Sequence, residues 1–391
     1  MSLLSRRFPI ALATCVAIGA AWACGSTETP AGRTDCSGVE VLVAASDYSS
    51  SVVCGAPRCE LGPRTTGVDL GSDPQLALSG GRAFFLARSN DLIFELDPVC
   101  GAPIGPKPYS VHEAGRQGSV NPHDVAAAPD GTLFVVLYNV PRIAILVGGK
   151  VTSSIDLSGP EFDADGNPQA DAIRIVDVGG VPKAFVTLER LDDTDKVNIL
   201  SSKQPSAMLR IDVATRKVEA TIQLAGRNPF NTMAELGGAL FLAEPGNFDT
   251  AGEPLAGIER FDTATSTTRL LVKEEDLGGS VAEVAVTDGC GAAIVGGPQK
   301  DVNPTSLVTF DPTSGKVLTS AQTAVLGPTP GYDLQGLAWR GTSLYVGDRR
   351  RGPSGYPVRV FEREPGTCIL HDIPARGFNL PQRPVALRPA D

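Results

Sequence analysis

Residues 167–177 read NPQADAIRIVD, residues 184–188 read AFVTL, and residues 209–222 read LRIDVATRKVEATI. The first piece is a short apolar run entered through polar residues. The second is a compact apolar run of the kind a buried strand needs. The third alternates apolar and polar residues on both sides of a turn centred on Ala214-Thr215, the pattern of a hairpin with one wet face. Taken in order, the pieces predict four antiparallel strands.

The unit recurs along the chain. Its opening strand returns as DPQLALSGG (73–81), NPHDVAAAPDG (121–131), NPFNTMAELGG (228–238), SVAEVAVTDG (280–289), YDLQGLAWRG (332–341) and QRPVALRPAD (382–391). The second strand returns as AFFLA, LFVVL, LFLAE, AAIVG and LYVGD. The hairpin returns as IERFDTATSTTRLLV (258–272), LVTFDPTSGKVLTS (307–320) and VRVFEREPGTCILHDI (358–373), with shorter versions from Leu92 and Ile143. A four-strand unit roughly every 50 residues is a β-propeller blade. The last copy stops after its opening strand. The first, VEVLVAAS (39–46), begins with a second strand and lacks an opening one. Together they complete one blade, which predicts an all-β, seven-bladed propeller of four-stranded blades. It closes by pairing residues 383–389 with residues 41–45, so that Val385 and Leu387 pack inward.

AFVTL followed by MLRIDVATRKVEATIQL (208–224), and LVTFDPTSGKVL (307–318), resemble the bacterial YVTN-type seven-bladed propellers. In that family a strand ending FVxx precedes a VxxIDxxTGKVxxTI hairpin. The likeness covers most of residues 38–391 and is degenerate in the first two blades, and the literal Tyr-Val-Thr-Asn is absent. It implies a fold. It implies no activity, since members bind proteins, line cell surfaces or have no known role.

The N-terminus reads as an export segment. Arg6-Arg7 precede an apolar run (8–22), and Ala21-Trp22-Ala23-Cys24 follows. This end resembles the lipobox of bacterial lipoproteins, in which the cysteine is lipidated and becomes the first mature residue. It departs from that pattern at Ala21, where Leu is usual, and at Trp22, where a small residue is usual. Cleavage at an ordinary A-x-A site is the alternative. Residues 25–34 (GSTETPAGRT) lack a large apolar side chain and suit a solvated tether. The expected organisation is a signal peptide at 1–23, a tether at 24–37 and a propeller at 38–391. The chain would be exported and held at the bacterial cell envelope only by lipid on Cys24.

The net charge of −10 disfavours nucleic-acid binding, which needs basic stripes. Cys36, Cys54, Cys59, Cys100, Cys290 and Cys368 remain once Cys15 and Cys24 are assigned to the leader. An even set in an exported chain reads as disulfides, with about fifteen pairings open.

Tight turns fall on one rim, at Gly80-Gly81, 129–131, Gly237-Gly238 and 263–265. Long connections fall on the other, here termed the top: 105–120, 159–170, 191–206, 246–257, 298–304, 327–332 and 349–355. Long loops without secondary structure are uncommon unless they are functional. The residue before each opening strand is Gln75, Asp124, Asp171, Asn231, Glu283, Gln335 or Pro384. The polar six are expected at the top mouth of the central channel. Arg88, Asn139, Glu189, Arg190, Glu244, Asp348 and Arg349 end second strands at the same rim, and His123 stands beside Asp124. Three ring carboxylates with amide carbonyls could hold Ca²⁺; a wet channel needs only water. Residues 161–166 (EFDADG) resemble the opening of a Ca²⁺ loop, but Ala172 occupies its closing position, and an acidic surface loop is the simpler reading. Of three histidines, His371 falls in an outer strand. No nucleophile elbow, P-loop or zinc-protease motif is present. The sequence therefore favours a scaffold that binds a protein or glycan through the top face. The alternative is a metal-dependent hydrolase or lactonase with its cation at the channel mouth.

Overall fold

Each expected opening strand is a strand in the computed structural model, which describes residues 36–57, 70–105, 107–197, 200–247, 253–297 and 304–390. These inner strands are Pro74–Ser79, Pro122–Ala127, Ala170–Val178, Phe230–Leu236, Val281–Thr287, Leu334–Arg340 and Arg383–Pro389. The first six each begin an antiparallel sheet whose strands follow in chain order, which defines blades 1 to 6. In blade 6 two short segments, Leu370–Asp372 and Phe378–Leu380, both pair with Tyr356–Arg363 as the outer layer. The seventh sheet has the order Ser51–Ala56, Val41–Ser46, Arg383–Pro389. The C-terminal strand is therefore the innermost strand of the N-terminal blade, and it closes the ring. The leader, Cys24 and Cys59 lie outside the described residues. Residues 38–391 form one compact unit.

The strand burial follows from the stacking of blades. Second strands such as Leu133–Leu137 and Cys290–Gly296 are buried at every residue, because a blade packs against a neighbour on both faces. Outer strands such as Lys217–Gln223 alternate exposed and half-buried positions. The apolar clusters lie between consecutive blades. Phe134, Ile143 and Ile145 of blade 2 meet Ile173, Val186 and Leu209 of blade 3. Phe185 and Met208 of blade 3 meet Leu240 and Phe261 of blade 4. Val43 and Leu387 of the closing blade meet Ala338 and Val358 of blade 6.

Two expectations are corrected. Val385 is half-exposed, because the pairing slips between Ala44 and Ala45 and leaves Val385 as the extra residue of a bulge. Leu387 packs inward as expected. The stretch 105–120 is also not one top loop. Tyr109–Ser110 is the outer strand of blade 1. Residues 97–108 therefore form a bottom connection, and only residues 111–121 cross the top. Among the described residues the loop asymmetry holds elsewhere: residues 157–169, 320–333 and 349–355 and the described parts of 189–206 and 245–256 are top connections, while most bottom turns are as tight as Gly179-Gly180; residues 298–303 lie outside the described residues.

Cys290 and Cys368 form a disulfide with Cα atoms 5.1 Å apart, joining blades 5 and 6 on the bottom side. Cys36, Cys54 and Cys100 are also disulfide-bonded. Such bonds suit an oxidising, extracytoplasmic environment. Among the described residues no helix is long and apolar enough to cross a membrane.

Candidate functional site at the top mouth of the channel

A bulge interrupts the top of the inner strand in every blade except blade 1. The register shifts fall between Pro122 and Asp124, Ala170 and Ile173, Phe230 and Ala234, Val281 and Glu283, and Leu334 and Leu337. The closing blade shifts opposite Val385. A bulge frees backbone groups that a buried site must satisfy.

The polar ring supplies the partners, from one blade to the next. Asp124 Oδ2 accepts the Ile173 N–H of blade 3 at 3.0 Å. Glu283 accepts the Gly336 and Leu337 N–H groups of blade 6 at 2.8 and 3.0 Å. Asn231 Nδ2 donates to the Ala282 carbonyl of blade 5 at 3.0 Å. Gln75 caps its own Leu76 N–H at 3.0 Å. Gln335 accepts from Arg349 at 2.8 Å.

Two arginines complete the channel lining, and the sequence reading missed both. Arg174 pairs with Asp124 at 2.8 Å. Arg388 donates to Thr232 at 2.9 Å. Burial lowers its pKa while the charge of Glu283 opposes that shift. Burial likewise raises the Glu283 carboxyl, against Arg388 and its two backbone donors. The available signal was a lone arginine inside an apolar strand, in IRIV and in ALRP.

Four sequence candidates come together on blades 1 to 3. His123 Nδ1 lies 2.5 Å from Asp171 Oδ1, and its Nε2 faces the Arg88 guanidinium. The imidazole stacks on Tyr138 at 4.2 Å between centroids. Tyr138 donates to Glu189 Oε2 at 2.5 Å, and Arg88 donates to Asn121 at 3.1 Å. Burial, then the Arg88 charge, holds His123 well below its usual pKa. A neutral imidazole that accepts from Arg88 at Nε2 carries its proton on Nδ1 and donates it to Asp171. Burial, then Glu189, pushes Asp171 well above the carboxylate range, and burial raises Glu189 to about 8. Asp171 Oδ2 is buried and has no partner among the described residues. The cluster is a dense hydrogen-bonded network of titratable groups at the rim.

The other candidates are dispersed. Arg349 stacks on Tyr48 and Tyr332 and donates to the Tyr48 hydroxyl. Asp348 is held by Arg350 at 2.7 Å and Arg359 at 3.0 Å. Asn139 donates to the Ser119 carbonyl at 3.0 Å. Glu244 is fully buried; burial and then the neighbouring Glu259 raise its carboxyl well above the usual range. Arg190 lines a separate cleft with Asp163, Asp165, Asp192, Lys203 and Gln204. Among the described residues no three His, Cys, Asp or Glu side chains are grouped to hold a metal ion.

The similarity to known proteins is one of fold. No family model matches the sequence, and no curated protein matches it. Solved propellers do match in structure. A putative 6-phosphogluconolactonase from Bacteroides uniformis superposes with a TM-score of 0.53 at 11% identity, over 90% of this chain and 99% of that one. The WD40 repeats of RRP9 give 0.52 at 11% identity, over 81% and 86%. A streptogramin B lyase gives 0.50 at 12% identity, over 81% and 87%.

Proposed function

We propose that the chain is an exported, lipid-anchored interaction module that binds a protein or glycan of the cell envelope through its top face. The observation that carries this reading is the loop asymmetry. The long connections gather on one rim while the opposite rim is mostly closed by tight turns. The resemblance to YVTN-type propellers and the tether after Cys24 agree with it. The test is photo-cross-linking in intact cells. Cross-linkers at exposed top positions, Glu161 and Lys196, should capture a defined partner, and those at exposed bottom positions, Ala214 and Glu364, should not. Capture confined to the bottom positions overturns the reading. The anchor has its own check: Cys24→Ser should move the protein from the membrane to the soluble fraction with its melting temperature unchanged.

A second reading is hydrolysis with a cation at the channel mouth. It rests on Asp171, whose Oδ2 is buried and has no partner among the described residues. The rest of the ring does not fit a cation site. Asp124 is spent on Arg174 and the Ile173 N–H, and Glu283 on two backbone donors. Retention of a stoichiometric divalent ion after dialysis, lost in Asp171→Asn, would favour this second reading.

A further inference from the structure

A cleft of about 440 Å³ opens on the top side of blade 3 between residues 163–165 on one side and residues 190–194 and 203–204 on the other. Its walls carry both signs of charge. Lys203 is spent, bonded to Asp192 at 2.8 Å and Asp195 at 2.7 Å. Asp163 and Asp165 are not. Among the described residues neither has an ion-pair partner. Asp163 Oδ1 accepts from the neutral Gln204 amide at 3.1 Å, and Asp165 only from backbone N–H groups. Asp163 is 2% exposed, and its Oδ2 has no partner at all among the described residues. On the same wall Arg190 donates from Nη1 to the Pro205 carbonyl at 3.4 Å, and its Nε is a buried donor without an acceptor among the described residues. A buried carboxylate held in no ion pair is costly. Here burial and then the repulsion of Asp165 raise the Asp163 carboxyl, and the Ala164 and Asp165 backbone N–H groups and the Arg190 charge offset them only in part. Selection for stability alone would place an amide or an apolar group there.

We propose that this cleft receives a lysine or arginine side chain of the partner polypeptide. The cation would pair with Asp163 and Asp165. The proposal rests on the top face being the binding face. Size supports an organic cation over a bare ion. The volume lies in the range of small-molecule sites, about 300–1,000 Å³, whereas a water takes about 30 Å³. The whole chain's charge of −10 also favours a cationic partner over an anionic one.

Isothermal titration of the purified propeller would use three probes: lysine blocked as its Nα-acetyl amide, norleucine blocked the same way, and calcium chloride. Blocked lysine should bind, blocked norleucine should not, and calcium should neither bind nor compete. Asp163→Asn should weaken the lysine probe by about tenfold or more, the worth of a charge-assisted hydrogen bond. The same variant should melt at the same or a higher temperature, because it relieves repulsion with Asp165. That combination marks a binding residue, since a residue kept for structure would lose stability when changed. Asp165→Asn repeats the test from an exposed position. Equal binding of lysine and norleucine, unchanged binding in both variants, or calcium binding lost in Asp163→Asn would each overturn the proposal. Top-rim cross-links without lysine binding end this assignment and leave the top-face reading standing.

Discussion

Single side chains at the channel mouth hold the blades together. Asp124 joins the backbone of blade 3 to its own blade and neutralises Arg174, and it is 1% exposed. Asp124→Ala would leave the Ile173 N–H without its acceptor and the part-buried Arg174 guanidinium with only the Ile173 carbonyl. Denaturant melts should show a loss of about 3–5 kcal/mol, with Asp124→Asn milder because it keeps an acceptor. The raised carboxyls predict an unusual pH profile. Burial lifts Glu189 to about 8 and Glu274 to about 7 from an ordinary 4.5. The folded state then holds these protons more tightly than the unfolded state does. Their contribution is complete below about pH 4.5 and is lost as pH rises through 7 and 8. His123 acts oppositely, but only below its unfolded value of about 6.5. Between pH 6.5 and 8.5 the carboxyls act alone, so denaturation midpoints should fall with rising pH. Glu189→Gln should flatten the slope, and a midpoint that rises across that window contradicts the assignment.

The bulge is the element that ties the mouth together, and one glycine shows its tolerance. Gly336 follows the ring residue Gln335 with φ 92°, and an added Cβ would sit 2.9 Å from Leu387 Cγ of the closing strand. Gly336→Ala meets backbone strain and overpacking together. It should cost about 1–3 kcal/mol in a melting experiment, where Gly341→Ala, in an open bottom turn, should cost only its φ strain. Bulges were also where the sequence stopped being legible. A compact apolar run locates a strand buried on both faces such as Leu133–Leu137, and alternation with period two locates an outer strand such as Lys217–Gln223, because burial on defined faces dictates each pattern. One inserted residue leaves that alternation almost unchanged while turning the following side chains to the other face. Val385 therefore read as a core residue and is not one. The partners of Asp124 and Glu283 lie about 50 residues away in the next blade, a distance that no local pattern encodes. His123, Arg88, Asp171 and Glu189 were each identifiable as rim residues. Their convergence was not, because it depends on which blades are neighbours and how far each bulge advances the strand.

At the scale of the whole molecule the ring closes through a non-covalent clasp. Arg383–Pro389 pairs with Val41–Ser46 along its length, and Ala386 and Leu387 are buried. The neighbouring contacts reinforce the seam. Tyr345 donates to Glu40 at 2.5 Å, Arg376 pairs with Glu40 at 3.0 Å, and Arg340 donates to the Val39 carbonyl at 3.1 Å. A propeller depends on such a seam because each blade's apolar faces are covered only by its neighbours. Deleting residues 384–391 removes a short tail by length, and a frayed terminus would tolerate the loss. Here it removes the inner strand of the closing blade. That uncovers the Val41–Ser46 edge and takes Leu387 out of the cluster with Tyr345 and Val358. Stability should fall by several kcal/mol, and the uncovered edge should promote aggregation. Thermal melting with light scattering reads both effects. The Cys290–Cys368 bond joins blades 5 and 6 and does not cross the opened seam, so it should not rescue the truncated chain. A truncation that melts like the full chain would mean that the ring is held elsewhere.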